Sequence, residues 1–101
     1  MYVSRLTFHT IPGKSGEVEK HLISLREMAV NAGAQRARIL HTHFASLGAP
    51  DVVFEQEAAD LAALEKQIGN LTANPKFQKW SSKMSQLLNE SPKREVYIIR
   101  E

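Results

Sequence analysis

The sequence contains no cysteine among its 101 residues. This excludes a disulfide framework, a thiolate nucleophile and a zinc–thiolate site, and we expect a reducing compartment such as the cytoplasm. No apolar run approaches the roughly 18 residues of a membrane-spanning helix. The opening Met1–Leu6 resembles neither a signal peptide nor a transit peptide. The sequence therefore predicts a protein with no membrane partner.

Charge of one sign is not concentrated anywhere in the chain. The 13 Lys and Arg residues are nearly balanced by 11 Asp and Glu residues, and the net charge is +2. Lys76, Lys79 and Lys83 share one edge of a predicted helix, but nucleic-acid binding needs a concentrated basic surface with aromatic residues among it. We interpret these lysines as a solvated helix face and expect no nucleic-acid partner.

The order of the hydrophobic patterns predicts the fold. Strand-like runs at Tyr2–Thr10, Gln35–Phe44, Asp51–Glu57 and Arg94–Arg100 alternate with an amphipathic helix at about Gly16–Ala32 and a long broken helical stretch. This is βαββαβ in a single domain, 1–101. We expect an α+β, ferredoxin-like, four-stranded antiparallel sheet with helices on one face, and its other face needs a cover.

Strand parity predicts which side chains face the helices. In the first strand these are Tyr2, Ser4, Leu6 and Phe8, while Val3, Arg5, Thr7 and His9 lie on the opposite face. In the second and third strands we expect Leu40, Thr42, Phe44, Val52 and Phe54 toward the helices, and Ile39, His41, His43, Val53, Glu55 and Glu57 on the other face. A hairpin centred near Gly48 would then set the two histidines opposite Val53 and the glutamates.

Helix boundaries are indicated by capping residues. Ser15 is expected to cap the first helix, which carries an apolar stripe from Val18 to Ala32, and Gly33 to end it. Asp60 is expected to cap a second helix, weakened at Gly69-Asn70. Asn74-Pro75 then starts a third helix, whose apolar stripe is Phe77, Trp80, Met84, Leu87 and Leu88.

Several sequence pieces resemble the dimeric α/β-barrel superfamily, in particular NIPSNAP-like and antibiotic biosynthesis monooxygenase-like proteins. The pieces are Met1–Val3, Pro12–Lys14, Asn74–Trp80 and Arg94–Tyr97. The resemblance implies a dimeric α/β barrel in which two copies pack their bare sheet faces together, often with a ligand cavity between sheet and helices. It also implies a range of activities: cofactor-free monooxygenases, haem-degrading enzymes, isomerases and proteins with no known activity.

The haem-degrading members of this superfamily use a histidine in the second helical region as the iron ligand. Here histidine occurs only at positions 9, 21, 41 and 43. Haem degradation by that route is therefore not expected, and we expect no cofactor. Trp80 is interpreted mainly as a core residue of the helical stripe.

Two polar sets could carry chemistry. His41 and His43 are two residues apart, as metal ligands on a strand would be, with Glu55 or Glu57 completing the set. We favour pairing of these histidines with the glutamates and expect no metal. Arg5, Thr7 and His9 form a second row, which could be an ion-paired barrel interior or could orient an oxygenated ligand, with His9 or His41 as proton acceptor.

Two hypotheses for function follow. One is a homodimeric module that assembles through its sheet face or binds a small hydrophobic or aromatic ligand. The other is a cofactor-independent monooxygenase-like enzyme acting on an aromatic or polyketide-like molecule, with His9, Arg5 and His41 as catalytic candidates. Pocket candidates are Thr7, His43, Glu55, Phe54 and Trp80. A sheet–helix space filled by Trp80, Phe77, Met84 and Phe54 favours the module, and an open cavity favours the enzyme.

Overall fold

The computed structural model describes residues 1–100, which form four strands and three helices. In chain order the elements are β1 (Tyr2–Phe8), α1 (Ser15–Asn31), β2 (Gln35–His41), β3 (Val52–Ala58), α2 (Leu61–Thr72), α3 (Pro75–Ser85) and β4 (Lys93–Ile98). The strands form one sheet in the order β2-β3-β1-β4, and each neighbouring pair is antiparallel. The predicted α+β, ferredoxin-like arrangement is confirmed. No helix among residues 1–100 combines the length and apolarity that crossing a membrane requires.

The hydrophobic core lies between the sheet and the helices. From the sheet it takes Phe8, Val52 and Phe54, whose exposed fractions are 0%, 0% and 4%. The helical residues of this core are Val18, Leu22, Leu25 and Ala29 of α1, Leu71 of α2, and Trp80 and Met84 of α3. The predicted core faces of the first and third strands, and the predicted apolar stripe of α1, are confirmed.

The predicted faces of β2 are wrong. Ile39 pairs with Phe54 in the ladder and packs against the core, whereas Leu40 pairs with Val53 and is 37% exposed. The prediction counted Phe44 as part of the apolar face, but β2 ends at His41 and Phe44 is 91% exposed in the following loop. Since successive strand residues alternate between faces, removing the false member reverses the assignment of the whole strand.

Backbone irregularity at the start of β2 hides its pattern further. Arg36 has a φ of +48°, and the pairing with β3 shifts register between Gln35 and Arg38. Such a bulge interrupts the alternation from which strand faces are inferred. Downstream of it, Ala37 and Ile39 face the helices and Arg38 lies on the opposite face beside Glu55.

Helix ends follow the predicted capping chemistry at two of three starts. The Asp60 side chain accepts a hydrogen bond from the Ala63 amide at 2.7 Å, and the Asn74 side chain accepts one from Lys76 at 2.9 Å. Ser15 is not a cap, because the chain is already helical there and Lys14 occupies the cap position without a side-chain bond. α2 runs through Gly69 to Thr72, so the helix break lies after the predicted weak point.

The C-terminal end of α1 is set by glycine. Gly33 has a φ of +108° and its amide donates to Val30. A residue with a Cβ is strained in this left-handed region, so the predicted role of Gly33 is confirmed.

Candidate functional site

The face of the sheet opposite the helices carries a row of alternating charges. Arg38 of β2 pairs with Glu55 of β3, Glu55 pairs with Arg5 of β1, and Arg5 pairs with Glu95 of β4. We call these four residues the charge row and this side of the sheet the open sheet face. Directly opposed cross-strand pairs are the closest side-chain neighbours in a sheet, so opposite charges attract at each step.

Apolar side chains flank the charge row on both sides. Leu40 and Val53 are paired on β2 and β3, and Val3 and Tyr97 are paired on β1 and β4. Leu40 and Tyr97 are 37% and 46% exposed. Polar residues extend both pairs across the sheet, Thr7 and Lys93 the first and Glu57 the second, so the open sheet face carries two apolar pairs beside a charged centre.

Glu55 is the most buried charged group of this face. It is 1% exposed, although it lies on the side of the sheet without helices. Arg5 Nε donates to Oε2 at 2.7 Å, Arg38 Nε donates to Oε1 at 2.8 Å, and Arg38 Nη2 also donates to Oε1. Both carboxylate oxygens thus accept charge-assisted hydrogen bonds, which lets the ion remain charged while buried.

The arginines hold Glu55 in its ionised form. Burial is the largest single influence on the pKa of Glu55 and raises it, but the hydrogen bonds and charges of Arg38 and Arg5 together outweigh burial and lower the pKa below its ordinary value. The hydrogen bond to Glu55 raises the pKa of Arg38 in turn. We call Arg5, Arg38 and Glu55 the Glu55 cluster.

Tyr97 forms a wall beside the cluster. The Arg5 guanidinium carbon lies 5.5 Å from the centre of the Tyr97 ring, within the range of a cation–π contact. The neighbouring Glu95 carboxylate raises the pKa of the Tyr97 hydroxyl. A pocket of about 260 Å³ opens here on the open sheet face, lined by Val3, Arg5, Arg38, Glu55 and Tyr97.

The structure brings together some of the predicted site residues. Arg5, Thr7 and Glu55 lie on the open sheet face as expected, and the Thr7 hydroxyl donates to the Lys93 carbonyl at 3.2 Å. Arg38 and Tyr97 were missed. Arg38 shares its parity with Leu40, which the reversed assignment of β2 had placed in the core. For Tyr97, the β-branched and aromatic run of the last strand indicated a strand but did not distinguish its faces.

The two strand histidines do not come together. His41 Nδ1 lies 2.6 Å from Glu19 Oε1 of α1, on the helix side of the sheet, so its predicted pairing with Glu55 or Glu57 is wrong. His43 lies in the loop after β2 with its ring against Phe44, at 4.4 Å between centroids. Within residues 1–100, no three His, Asp or Glu side chains are grouped so that they could hold a metal ion.

His9 contacts two loops, one containing Gly48 and the other containing Glu90. Its Nε2 lies 3.0 Å from the Gly48 carbonyl and its Nδ1 lies 2.8 Å from Glu90 Oε1. β1 ends at Phe8, so His9 lies past the ladder and is not among the residues that line the pocket beside Glu55. Both ring nitrogens are occupied by acceptors, which leaves neither of them directed at a ligand in this arrangement.

The space between the helices and the inner strands β1 and β3 is filled. Phe54, Trp80 and Met84 are 4%, 8% and 1% exposed, and Phe77 stacks on Trp80 at 5.5 Å between ring centroids. Trp80 Nε1 donates to the His21 carbonyl at 2.6 Å and so joins α3 to α1. The interpretation of Trp80 as a core residue is confirmed.

One polar pair is buried between the sheet and α2. Gln56 Nε2 donates to Gln67 Oε1 at 3.0 Å, and the two residues are 3% and 6% exposed. Gln56 Oε1 and Gln67 Nε2 have no partner among the described residues. A pocket of about 60 Å³ adjoins Gln67. This pocket has room for water and not for an aromatic ligand.

A wider groove runs along the outside of the helical layer. It measures about 540 Å³ and lies between α1 and α3, lined by His21, Ser24, Glu27, Met28, Asn31, Asn74, Lys76, Lys79, Trp80 and Lys83. The three lysines are exposed, as the sequence predicted. The groove lies outside the filled sheet–helix layer and away from the open sheet face.

Solved structures of similar fold match at least 95% of the chain. An uncharacterized NIPSNAP domain protein from Burkholderia xenovorans superposes with a TM-score of 0.76 at 20% identity, over 99% of this chain and 95% of that one. An antibiotic biosynthesis monooxygenase gives 0.69 at 16% identity, over 100% of both chains. A conserved protein from Methanosarcina mazei Go1 gives 0.68 at 17% identity, over 95% and 89%.

The fold is that of the NIPSNAP-like and antibiotic biosynthesis monooxygenase-like proteins. The resemblance predicted from the sequence pieces is confirmed at this level. The sequence matches no protein-family model and no curated protein. At such low identities the shared property is the fold, and function has to be argued from the residues of this chain.

Proposed function

We propose that this chain is a homodimeric module whose two copies pack their open sheet faces together as a dimeric α/β barrel. The observation that carries the proposal is the uncovered apolar surface of Leu40, Val53, Val3 and Tyr97 on both sides of the charge row. Burying such surface is the main favourable term in association. A second copy supplies the same surface and the same charge row, as a two-fold interface requires.

The filled sheet–helix layer favours a module over an enzyme. Trp80, Met84 and Phe54 occupy the space in which a substrate would sit in a cavity between sheet and helices. The proposed proton acceptors are also engaged, His9 with Gly48 and Glu90, and His41 with Glu19. The other polar side chains on the helix side of the sheet include the glutamine pair and Ser4, whose hydroxyl accepts from Arg94 Nη1 at 2.6 Å. Neither an amide nor a serine hydroxyl acts by itself as a base near neutral pH.

A second candidate function is cofactor-independent oxygenation of an aromatic molecule. The observation in its favour is the likeness in fold to a protein named an antibiotic biosynthesis monooxygenase. This function requires the sheet–helix layer to open for a substrate. Oxygen uptake with 1-naphthol as a phenolic probe tests it, and uptake that is lost in Trp80→Phe would favour the enzyme over the module.

Sedimentation tests the proposed dimer. Interfaces of obligate dimers bury about 2,000 Å² or more, so the wild-type chain should remain dimeric at about 10 μM. Leu40→Lys places a charge in the proposed interface and should give monomers. Val30→Lys is the matched control, because Val30 is 52% exposed on α1, on the other side of the molecule. A monomeric wild type, or equal dissociation of both variants, would contradict the proposal.

A further inference from the structure

We propose that the Glu55 cluster binds a small planar carboxylate, with an aromatic or aliphatic body lying against Tyr97 and Val3. The proposal rests on the proposed function, because packing of two open sheet faces would enclose the pocket. It assigns a ligand class to the arginine donors that Glu55 leaves unused. The arguments are the directions of the arginine donors, the local charge and the composition of the pocket wall.

The arginines retain donors that Glu55 does not use. Arg5 gives only its Nε–H to Glu55, and both of its Nη groups lack an acceptor among residues 1–100. Arg38 gives its Nε–H and an Nη2–H, which leaves its Nη1 group without one. The side chains of Arg5 and Arg38 are 46% and 58% exposed, so these donors are accessible from the pocket. A guanidinium presents parallel N–H groups, the arrangement that a carboxylate accepts in pairs.

Taken by itself, the Glu55 cluster carries one net positive charge. Two guanidinium ions surround one carboxylate, and the carboxylate is 1% exposed and therefore not available to a further cation. Two further carboxylates lie nearby, Glu95 across the strands from Arg5 and Glu57, whose charge acts on Arg38, but neither forms an ion pair with these two arginines within 4.0 Å in the described chain. A monoanion would neutralise the cluster, and its attraction would increase when a second sheet excludes water from the pocket.

The rest of the pocket suits an apolar body more than a second charge. Val3 and the Tyr97 ring supply the apolar part of the lining, and the volume is about 260 Å³. The Arg5 guanidinium carbon lies 5.5 Å from the centre of this ring. Aromatic side chains with one polar end are common walls of small-ligand sites. These features favour an organic carboxylate over a bare inorganic anion.

Benzoate is the probe for this site, with benzamide as its neutral counterpart and inorganic phosphate as the competing anion. We expect benzoate to bind, benzamide to bind at least about tenfold more weakly, and phosphate not to displace benzoate at equal concentration. In an NMR titration the Nε–H signals of Arg5 and Arg38 should shift, and the indole signal of the single Trp80 should stay unchanged. Shifts at Trp80 and Lys79 instead would place the ligand in the α1–α3 groove and overturn the proposal.

Substitutions separate a specific site from general attraction of anions. Arg5→Gln and Arg5→Lys should each weaken benzoate binding by about tenfold, since the second keeps the charge but loses the paired donors. Lys93→Gln is the matched control, because it removes a positive charge from the same sheet face outside the pocket lining. Equal weakening by Lys93→Gln and Arg5→Gln, or no benzoate binding to the wild type at about 10 mM, would overturn the proposal.

Sedimentation of the same samples separates this proposal from the dimer. A dimer that does not bind benzoate contradicts the ligand proposal and agrees with the proposed dimer. A monomer that binds benzoate through Arg5 contradicts the dimer while keeping the carboxylate site. Melting curves of each variant, run beside the titrations, show whether Arg5→Gln is folded, and Arg5→Lys supplies the same test if it is not.

Discussion

Arg38 and Glu55 face each other on neighbouring strands, and two nitrogens of the arginine donate to one oxygen of the glutamate. This pair joins an edge strand, β2, to an inner strand, β3. It also keeps a charged carboxylate at 1% exposure. The pair therefore links the local fold of β2, which is irregular at Arg36, to the electrostatics of the candidate site.

Arg38→Gln should destabilise the chain by about 1.5–3 kcal/mol, because Glu55 would keep Arg5 alone as a charged partner. Urea unfolding followed by circular dichroism measures the change. Arg26→Gln is the matched control, since Arg26 is exposed on α1 and forms no ion pair among residues 1–100. Equal unfolding midpoints for the two variants would show that the pair contributes nothing measurable.

Glu55 should make the stability depend on acid pH. Its folded-state pKa lies below the ordinary value, so its stabilising contribution is complete above the unfolded pKa of about 4.3 and is lost as the pH falls through the folded pKa. Unfolding midpoints of the wild type should therefore hold between about pH 5 and 7 and decline below about pH 4. Glu55→Gln should be less stable at pH 7 and show a shallower acid decline, whereas Glu65→Gln on the exposed side of α2 should follow the wild type.

Trp80 should contribute to stability through both its volume and its indole N–H. Trp80→Ala should cost about 3–5 kcal/mol, as large aromatic truncations in cores do. Trp80→Phe keeps a ring in the core and loses the bond to the His21 carbonyl, so it should cost less, about 1 kcal/mol or somewhat more. Phe44→Ala, at 91% exposure, serves as the control and should leave the melting temperature unchanged. A Trp80→Ala variant that melts like the wild type would contradict the core assignment.

The sequence was sufficient for the architecture because its clearest signals are periodic. Phe8, Val52 and Phe54 lie at alternating strand positions, and Val18, Leu22 and Leu25 recur at helical spacing, so the core faces of β1, β3 and α1 follow directly. Asp60 and Asn74 indicate helix starts, because their side chains accept hydrogen bonds from backbone amides of the first helical turn. These signals are local and do not depend on what the chain packs against.

The candidate site was harder to predict because it depends on one short strand. β2 has Ala37 and Ile39 on one face and Arg38 and Leu40 on the other, so hydrophobicity alone does not choose between them. Pairing with β3 determines which face of β2 points to the helices, since Ile39 lies opposite Phe54 and Arg38 opposite Glu55. Because the faces of β2 are reversed, His41 lies on the helix side and contacts Glu19. No local sequence pattern indicated this contact.

His41 should not hold a structural metal. Stable sites need three or four converging ligands, and His41 faces Glu19 while His43 lies against Phe44 beyond the end of β2. Elemental analysis of untagged protein purified without chelator should therefore show no stoichiometric zinc, nickel or copper. Stoichiometric metal that disappears in His41→Ala but persists in His21→Ala would contradict this expectation and make the end of β2 a metal site.

The buried pair of Gln56 and Gln67 should show strong coupling between its members. Each amide leaves one polar atom without a partner among the described residues, and removing either side chain alone leaves the other with no partner there at all. Gln56→Met and Gln67→Met should therefore each cost about 1–3 kcal/mol. The double variant should cost less than the sum and could equal the wild type, because two apolar side chains of similar volume leave no buried donor or acceptor unmade. Urea unfolding of the wild type, the two single variants and the double variant measures the coupling. If the losses of unfolding free energy in the single variants sum to that of the double variant, water in the adjoining 60 Å³ pocket already satisfies the amides.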